Sequence, residues 1–358
     1  MKKRIYAEWE KQDGILLAFP HKDSDWKTYL QEAREVYSEI IYHILRLETC
    51  ILICQDKQEC EEYLTRHFRL KKWDLKVFKN LYILEIPTND TWARDFGGIT
   101  ICKNNKNIVF DYGFNGWGLK FTANFDNTIT KKLGALNIFN KIKTKSLILE
   151  GGSIESNGEG ILLSNTQCLL ESNRNPSYSL KKLSKKLKKD LGIKKILWLH
   201  HGFLEGDDTD SHIDTLARFI TPNTIVYLKC ENKRDKHYDD LAKMEKELQN
   251  LKNLNKKPFH LIPLPFCTPK YYNNERLPAT YANFLFLNDS ILFPIYQDKN
   301  DKRAIEIMQK ALPHHKIIPI DCSVLIRQHG SLHCISMQFP YKTLNYNALL
   351  PFKFLYQN

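Results

Sequence analysis

Four segments bring reactive side chains together among glycines, and a fifth adds a cation. Asn89-Asp90-Thr91-Trp92-Ala93-Arg94-Asp95 runs into Phe96-Gly97-Gly98. Glu150 meets Gly151-Gly152-Ser153, and Arg174 stands before Asn175-Pro176. The stretch Glu205–Asp214 holds five carboxylates around His212, and His329-Gly330-Ser331-Leu332-His333-Cys334 closes the set. Glycine permits close backbone approach, which turns at active sites often require. A thiolate is a strong nucleophile, and a neighbouring histidine such as His333 can lower a thiol's pKa. Cys334 is therefore either a nucleophile or one more structural thiol, as most of the others are expected to be. His212 and Asp214 are two apart, so in a strand they point to one side. There the histidine could act as acid/base and the carboxylate as orienter or ligand binder; otherwise they mark a charged surface turn. Five carboxylates so close together in a basic chain repel one another unless solvated, paired, or set to meet a cation. Asp95 and Glu150 each end a strand-like segment. Carboxylates match the planar donor fork of a guanidinium, although each could simply cap a turn. Trp92 could lie against a cation or belong to the core.

Other chemistries lack support. Cys50, Cys54 and Cys60 have no Cys-x-x-Cys spacing, and His200-His201 and His314-His315 are adjacent pairs that diverge in a strand, so a metal site is not expected. Neither phosphate-binding glycine pattern occurs, so no nucleotide cofactor is expected. The net charge of +12 raises nucleic acid or a membrane surface as partners. Much of it, however, sits in Lys181, Lys182, Lys185, Lys186, Lys188 and Lys189, which alternate with Leu180, Leu183, Leu187 and Leu191. That pattern describes an amphipathic helix with a wet lysine face. The nine cysteines show no disulfide framework, and no run approaches a membrane span. Those features point to a cytoplasmic chain with reduced thiols.

The elements that must hold these residues alternate short and long. Helices are expected over Trp26–Glu48, Lys57–Phe68, Phe125–Leu136, Tyr178–Leu191, His237–Leu251 and Asp301–Leu312. Strands are expected over Cys50–Cys54, Leu75–Phe78, Leu81–Ile86, Ile99–Cys102, Ile108–Phe110, Ser146–Glu150, Gly160–Ser164 and Lys194–Leu199. Further strands are expected over Thr215–Phe219, Thr224–Leu228, His260–Leu264, Tyr281–Leu287, Ser290–Pro294, Lys316–Ile320 and His333–Gln338. Asn288-Asp289 reads as a hairpin turn. With 42% hydrophobic residues and no linker, one α/β domain over residues 1–358 is expected, built from recurring strand-rich units.

In order, Trp-x-Arg-Asp, Glu-Gly-Gly, Gly-Asp-Asp-Thr-Asp-x-His-x-Asp and Gly-x-x-His-Cys resemble the agmatine deiminases and Porphyromonas-type peptidylarginine deiminases of the guanidino-group-modifying (pentein) superfamily. The resemblance runs from Glu8-Trp9 to about Pro340. It implies a five-fold pseudo-symmetric α/β propeller with the active site on its axis, needing no cofactor. It also implies Cys334 as nucleophile, His212 as general acid/base, Asp95 and Asp214 gripping a guanidinium, and Glu150 close to His212. Trp92, Asp90, Asp208 and Gly330 are the implied substrate-binding positions. The implied partner is a small cationic guanidine, with no nucleic acid or membrane; assembly with like copies is left open. Agmatine is the expected substrate, ahead of peptidyl-arginine or free arginine; an amidinotransferase-like enzyme, or a nucleic-acid-binding protein with an inactive pocket, is a more distant reading. The chain departs from the agmatine deiminases at Ser211, where they commonly have Gly, and at Gln328–Leu332.

Overall fold

A computed structural model describes residues 3–356 as a mixed α/β fold. Five sheets of three or four strands repeat one plan: an antiparallel pair, a helical crossover, then a strand parallel to the second member of the pair. In the first sheet, Gln12–Ala18 pairs antiparallel with Ser336–Pro340 and parallel with Thr49–Cys54, which adjoins Leu81–Glu85. Strands from both ends of the chain therefore share one sheet. The second sheet pairs Ile99–Lys103 with Lys106–Gly113 and then Ile142–Ile148, with Lys3–Ile5 at its edge. The third joins Ile154–Ser156, Ile161–Asn165 and Lys195–Leu199. The fourth joins Ala217–Thr221, Thr224–Lys229 and His260–Pro265. The fifth joins Leu285–Phe286, Ser290–Ile295 and Lys316–Asp321. A separate hairpin joins Lys270–Tyr272 to Glu275–Leu277.

The crossover helices follow from their apolar spacing. Leu30–Leu45 buries Ala33, Tyr37, Ile40, Ile41 and Ile44 against the first sheet, the three- and four-residue spacing of one helix face. Leu180–Leu191 starts at Ser179, whose hydroxyl accepts from the Lys182 N–H, and stops at Gly192 in the left-handed region (φ 74°). It buries Leu183, Leu187 and Leu191 and turns its lysines outward, as the alternation predicts.

Most expected elements are present within a few residues, and the Leu285/Ile291 hairpin is as read. Three differ. Leu75–Phe78 lies in a helical turn, Leu75–Asn80, because Asp74 accepts from the Lys76 N–H and Phe78 packs inward against Phe68. The segment Gln12–Ala18 is a strand buried throughout; its apolar half lacks the alternation of a half-wet strand. Only Leu285–Phe286 of Tyr281–Leu287 pairs as strand; ahead of it Tyr281 stacks on Phe293 and bonds to Asp301, while Asn283 reaches Cys334. No helix among the described residues is long and apolar enough to cross a membrane.

Candidate active site

Each sheet contributes a residue just ahead of its first paired strand. Asp95 precedes Ile99–Lys103, Glu150 precedes Ile154–Ser156 and Asp214 precedes Ala217–Thr221. Asn283 precedes Leu285–Phe286, and Cys334 precedes Ser336–Pro340. All five side chains are buried.

Cys334 is 7% exposed, and it borders a cavity of about 620 Å³, a size suited to a small-molecule ligand. Its Sγ lies 3.2 Å from Asn283 Nδ2 and 3.8 Å from Asp214 Oδ2. Burial pushes the thiol well above its ordinary range, and the Asp214 and Asp95 carboxylates add to the shift. His333 does not offset this. Its ring points away from the sulfur, with Nδ1 2.7 Å from Asp214 Oδ2 and Nε2 2.7 Å from Glu8 Oε1. The expected acidification of Cys334 by its histidine neighbour is thus not what the structure contains.

His212 precedes a tight turn, Ile213–Thr215, and Asp214 lies within it, so neither stands in a strand. They still converge, and Gly152 marks where. A methyl group there would sit 2.6 Å from His212 Nδ1, 3.0 Å from Asp95 Oδ1 and 3.1 Å from Asp214 Oδ2. Glycine is required because three functional groups crowd this point, not because the backbone is unusual. Asp95 Oδ1 accepts from the Gly152 N–H at 3.0 Å, and Oδ2 accepts from Trp117 Nε1 at 2.9 Å. Burial, with Glu150 nearby, pushes Asp95 up to about 7. Burial holds His212 well below its ordinary pKa, as do Arg174 and Lys120, so the imidazole is neutral. His212 Nε2 and Asp214 Oδ1 are buried with no protein partner. A buried polar atom left unpaired is costly, so both are available to a ligand.

Glu150 does not line the cavity. Both its oxygens accept from Arg174 Nε, at 2.9 and 3.1 Å, in a pair with no solvent exposure. Arg174 also reaches Asp210 Oδ2 at 2.7 Å and the Thr209 carbonyl at 2.9 Å. Glu150 thereby fixes the 205–212 loop through Arg174. Potential ligand atoms of Glu150, Cys168 and His212 lie within 4.8 Å of one another, as do those of Glu8, Glu155 and His333. Arg174 already occupies the Glu150 carboxylate, and Arg218 pairs with both Glu8 and Glu155.

Toward the mouth, Trp92 donates from Nε1 to Asp90 Oδ2 at 3.0 Å, and Asp90 Oδ1 accepts from Trp26 Nε1 at 2.8 Å. Burial raises Asp90 to about 6. Gly330 lies flat on the Trp92 ring; a methyl group there would come within 2.1 Å of it. Asp208 lies on the wall beside His329. Asp23, Asp25, Asp90, Asp95, Asp126 and Asp208 all line the cavity, against a single lysine, Lys120. Lys120 Nζ is itself bound to Asp210 Oδ1 at 2.6 Å and to the Asp208 carbonyl at 2.7 Å. Ser211 adopts φ 69°, the left-handed region that favours glycine. Its N–H donates to Asp207 Oδ2 at 2.6 Å and its hydroxyl to Gln167 at 3.0 Å, which help hold a serine in that conformation.

Comparison with known proteins decides the family: the Porphyromonas-type peptidyl-arginine deiminase profile matches residues 4–340. The chain belongs to that family. It is 30% identical over 362 residues to a protein of Marinomonas sp. (strain MWYL1) provisionally named an agmatine deiminase, covering 95% of both chains. Among solved structures of the family's fold, one from Porphyromonas gingivalis, provisionally described as an arginine deiminase, superposes with TM-score 0.90 and 42% identity. That superposition covers 96% of this chain and 100% of the other. A cysteine-to-serine variant of the C. jejuni agmatine deiminase with substrate bound gives TM-score 0.86 and 42% identity, covering 96% and 97%.

Sequence reasoning missed Asn283, which has neither charge nor a flanking glycine. Its signal is positional: it stands ahead of the fifth sheet where the other four sheets carry Asp95, Glu150, Asp214 and Cys334. The linkage of Glu150 to Arg174 was also not apparent, although both residues were singled out.

Proposed function

We propose that this protein is an agmatine deiminase, hydrolysing agmatine to N-carbamoylputrescine and ammonia through a covalent adduct on Cys334. The observation that carries the reading is the Cys334 sulfur opening onto a cavity walled by six aspartates. A dication without a carboxylate suits such a wall. Free arginine would bring a carboxylate, and the one lysine available to meet it is already paired with Asp210.

The chemistry follows from the placement of charge. Asp95 and the unpartnered Asp214 Oδ1 hold the guanidinium planar, so orientation and electrostatics supply much of the rate. The bound cation offsets the anions that keep the thiol protonated, and as the sulfur commits to the carbon the thiol's proton passes to the unpartnered Nε2 of neutral His212. The thiolate attacks the guanidinium carbon. His212 then protonates the departing ammonia, leaving a thiouronium on sulfur. Water, losing a proton to His212, attacks that carbon and releases the ureido product and the thiolate. No cofactor enters these steps.

The five sheets are read as the blades of a pseudo-symmetric propeller forming one catalytic domain over residues 1–358. Support comes from their shared plan, from the first sheet drawing on both ends of the chain, and from five site residues in equivalent positions. Nine free cysteines suit a cytoplasmic setting. The test is ureido-product formation from agmatine, free arginine and an arginine peptide, side by side. Agmatine should be preferred at least about 100-fold in kcat/KM, since a buried charge left without a partner costs about 3 kcal/mol or more. Preference for the peptide would assign the protein to the peptidyl-arginine reaction, and amidine transfer to an added amine would make it an amidinotransferase.

A further inference from the structure

His333 is fully buried between two carboxylates, at 2.7 Å from each. Glu8 also meets Arg94 Nη1 at 3.0 Å and Arg218. Burial works against its charge, but the Arg218 and Arg94 guanidiniums and the hydrogen bond from His333 hold Glu8 well below the usual carboxylate range. An ionised Glu8 can only accept a hydrogen bond, so His333 Nε2 must carry a proton. The bond between Nδ1 and Asp214 Oδ2 then contains one further proton. It resides on the imidazole, giving an ion pair, or on the carboxyl, giving a neutral pair.

Asp214 faces Cys334, Asn283, His212 and Asp95, with Asp207, Arg94 and Glu8 farther away. His333 faces Glu8, Arg94 and Arg218. With no cation beside Oδ1, burial and Asp95 push Asp214 up despite Arg94, while burial, Arg218 and Arg94 push His333 down despite Glu8. The shared proton then lies on Asp214. A cation beside Oδ1 reverses the preference, because the carboxylate gains a partner.

We propose that His333 is a positioning residue: when a guanidinium enters, Nδ1 takes the proton from Asp214 Oδ2, so Asp214 becomes a carboxylate without exchanging a proton with solvent. One O–H bond breaks, one N–H bond forms, and the pair keeps its net charge. Glu8 sets the tautomer that leaves Nδ1 able to accept. This inference rests on the guanidine-hydrolase reading above.

The direct test is ¹⁵N NMR of His333 in the full-length Cys334→Ser protein, with and without saturating agmatine. The free protein should show a protonated Nε2 and a bare Nδ1, and both nitrogens should be protonated in the complex. An unchanged Nδ1 at saturation, or a bare Nε2 in the free protein, overturns the proposal. If agmatine fails to bind while the Nε2–H tautomer is present, it is the functional reading that has failed, and the proton transfer falls with it. His333→Asn supplies the kinetic arm, since an amide can donate to Asp214 but cannot take its proton. KM for agmatine at neutral pH should rise about tenfold, and the acid limb of kcat/KM should move up by about one pH unit. kcat should recover at high pH. A purely structural role would lower kcat at every pH and leave the limb in place.

Discussion

Gly152→Ala probes, with one methyl, the convergence of the three groups to which the proposed mechanism gives catalytic roles. The new carbon would lie 2.6 Å from His212 Nδ1, where an unstrained contact needs about 3.5 Å. Something must therefore move by roughly 0.9 Å, and the candidates are the imidazole, Asp95 and Asp214. A displacement near 1 Å costs about 100-fold in rate, or about 2.7 kcal/mol of transition-state stabilisation. Overpacking one methylene costs the fold about 1–3 kcal/mol. For a chain of 358 residues that lowers Tm by only about 1–4 °C. The expected result is a folded protein with kcat/KM for agmatine reduced about 100-fold or more. Steady-state ureido assays and a thermal melt on the same preparation measure both quantities. Activity within threefold of the parent would refute the claim that His212, Asp95 and Asp214 act together around this point.

Glu150→Gln should break the buried pair with Arg174 and cut turnover sharply while the protein stays folded. The cost is about 3 kcal/mol, the low end for a broken buried pair, because Asp210 and the Thr209 carbonyl still hold the arginine. Urea unfolding alongside kcat checks both. Asp95 has its pKa raised to about 7, so its carboxylate form is lost as pH falls through that value. kcat/KM for agmatine should then drop about tenfold per pH unit below about 7, and a flat profile down to pH 5 contradicts this role. Asn283→Ala removes a donor 3.2 Å from the sulfur and should lower kcat about tenfold to 100-fold with a smaller change in KM, as steady-state kinetics would record.

Sequence alone singled out the candidate residues whose chemistry is local in character. Cys334, His212, Asp95 and Asp214 sit in short motifs dense with charge and glycine, and folding brings them together. The reason for pairing His212 with Asp214 was mistaken: a turn, not strand alternation, directs both inward. Asn283 and the Glu8–His333 contact could not be read because their partners lie 51 and 325 residues away, and nothing in the local pattern encodes that proximity. The orientation of His333 shows the same limit. Adjacency to Cys334 suggested thiol activation, whereas the ring turns to Asp214 and Glu8. The strand Gln12–Ala18 was hidden for a different reason, since burial on both faces removes the alternation that marks a strand.

Rapid quenching of the protein during turnover of agmatine, followed by peptide mass spectrometry, tests the covalent step most directly. An adduct with the mass of agmatine less ammonia should appear on the peptide bearing Cys334, and Cys334→Ala should neither form it nor turn over. Ureido product from Cys334→Ala at the parent rate, or the adduct on a different cysteine, would contradict the account.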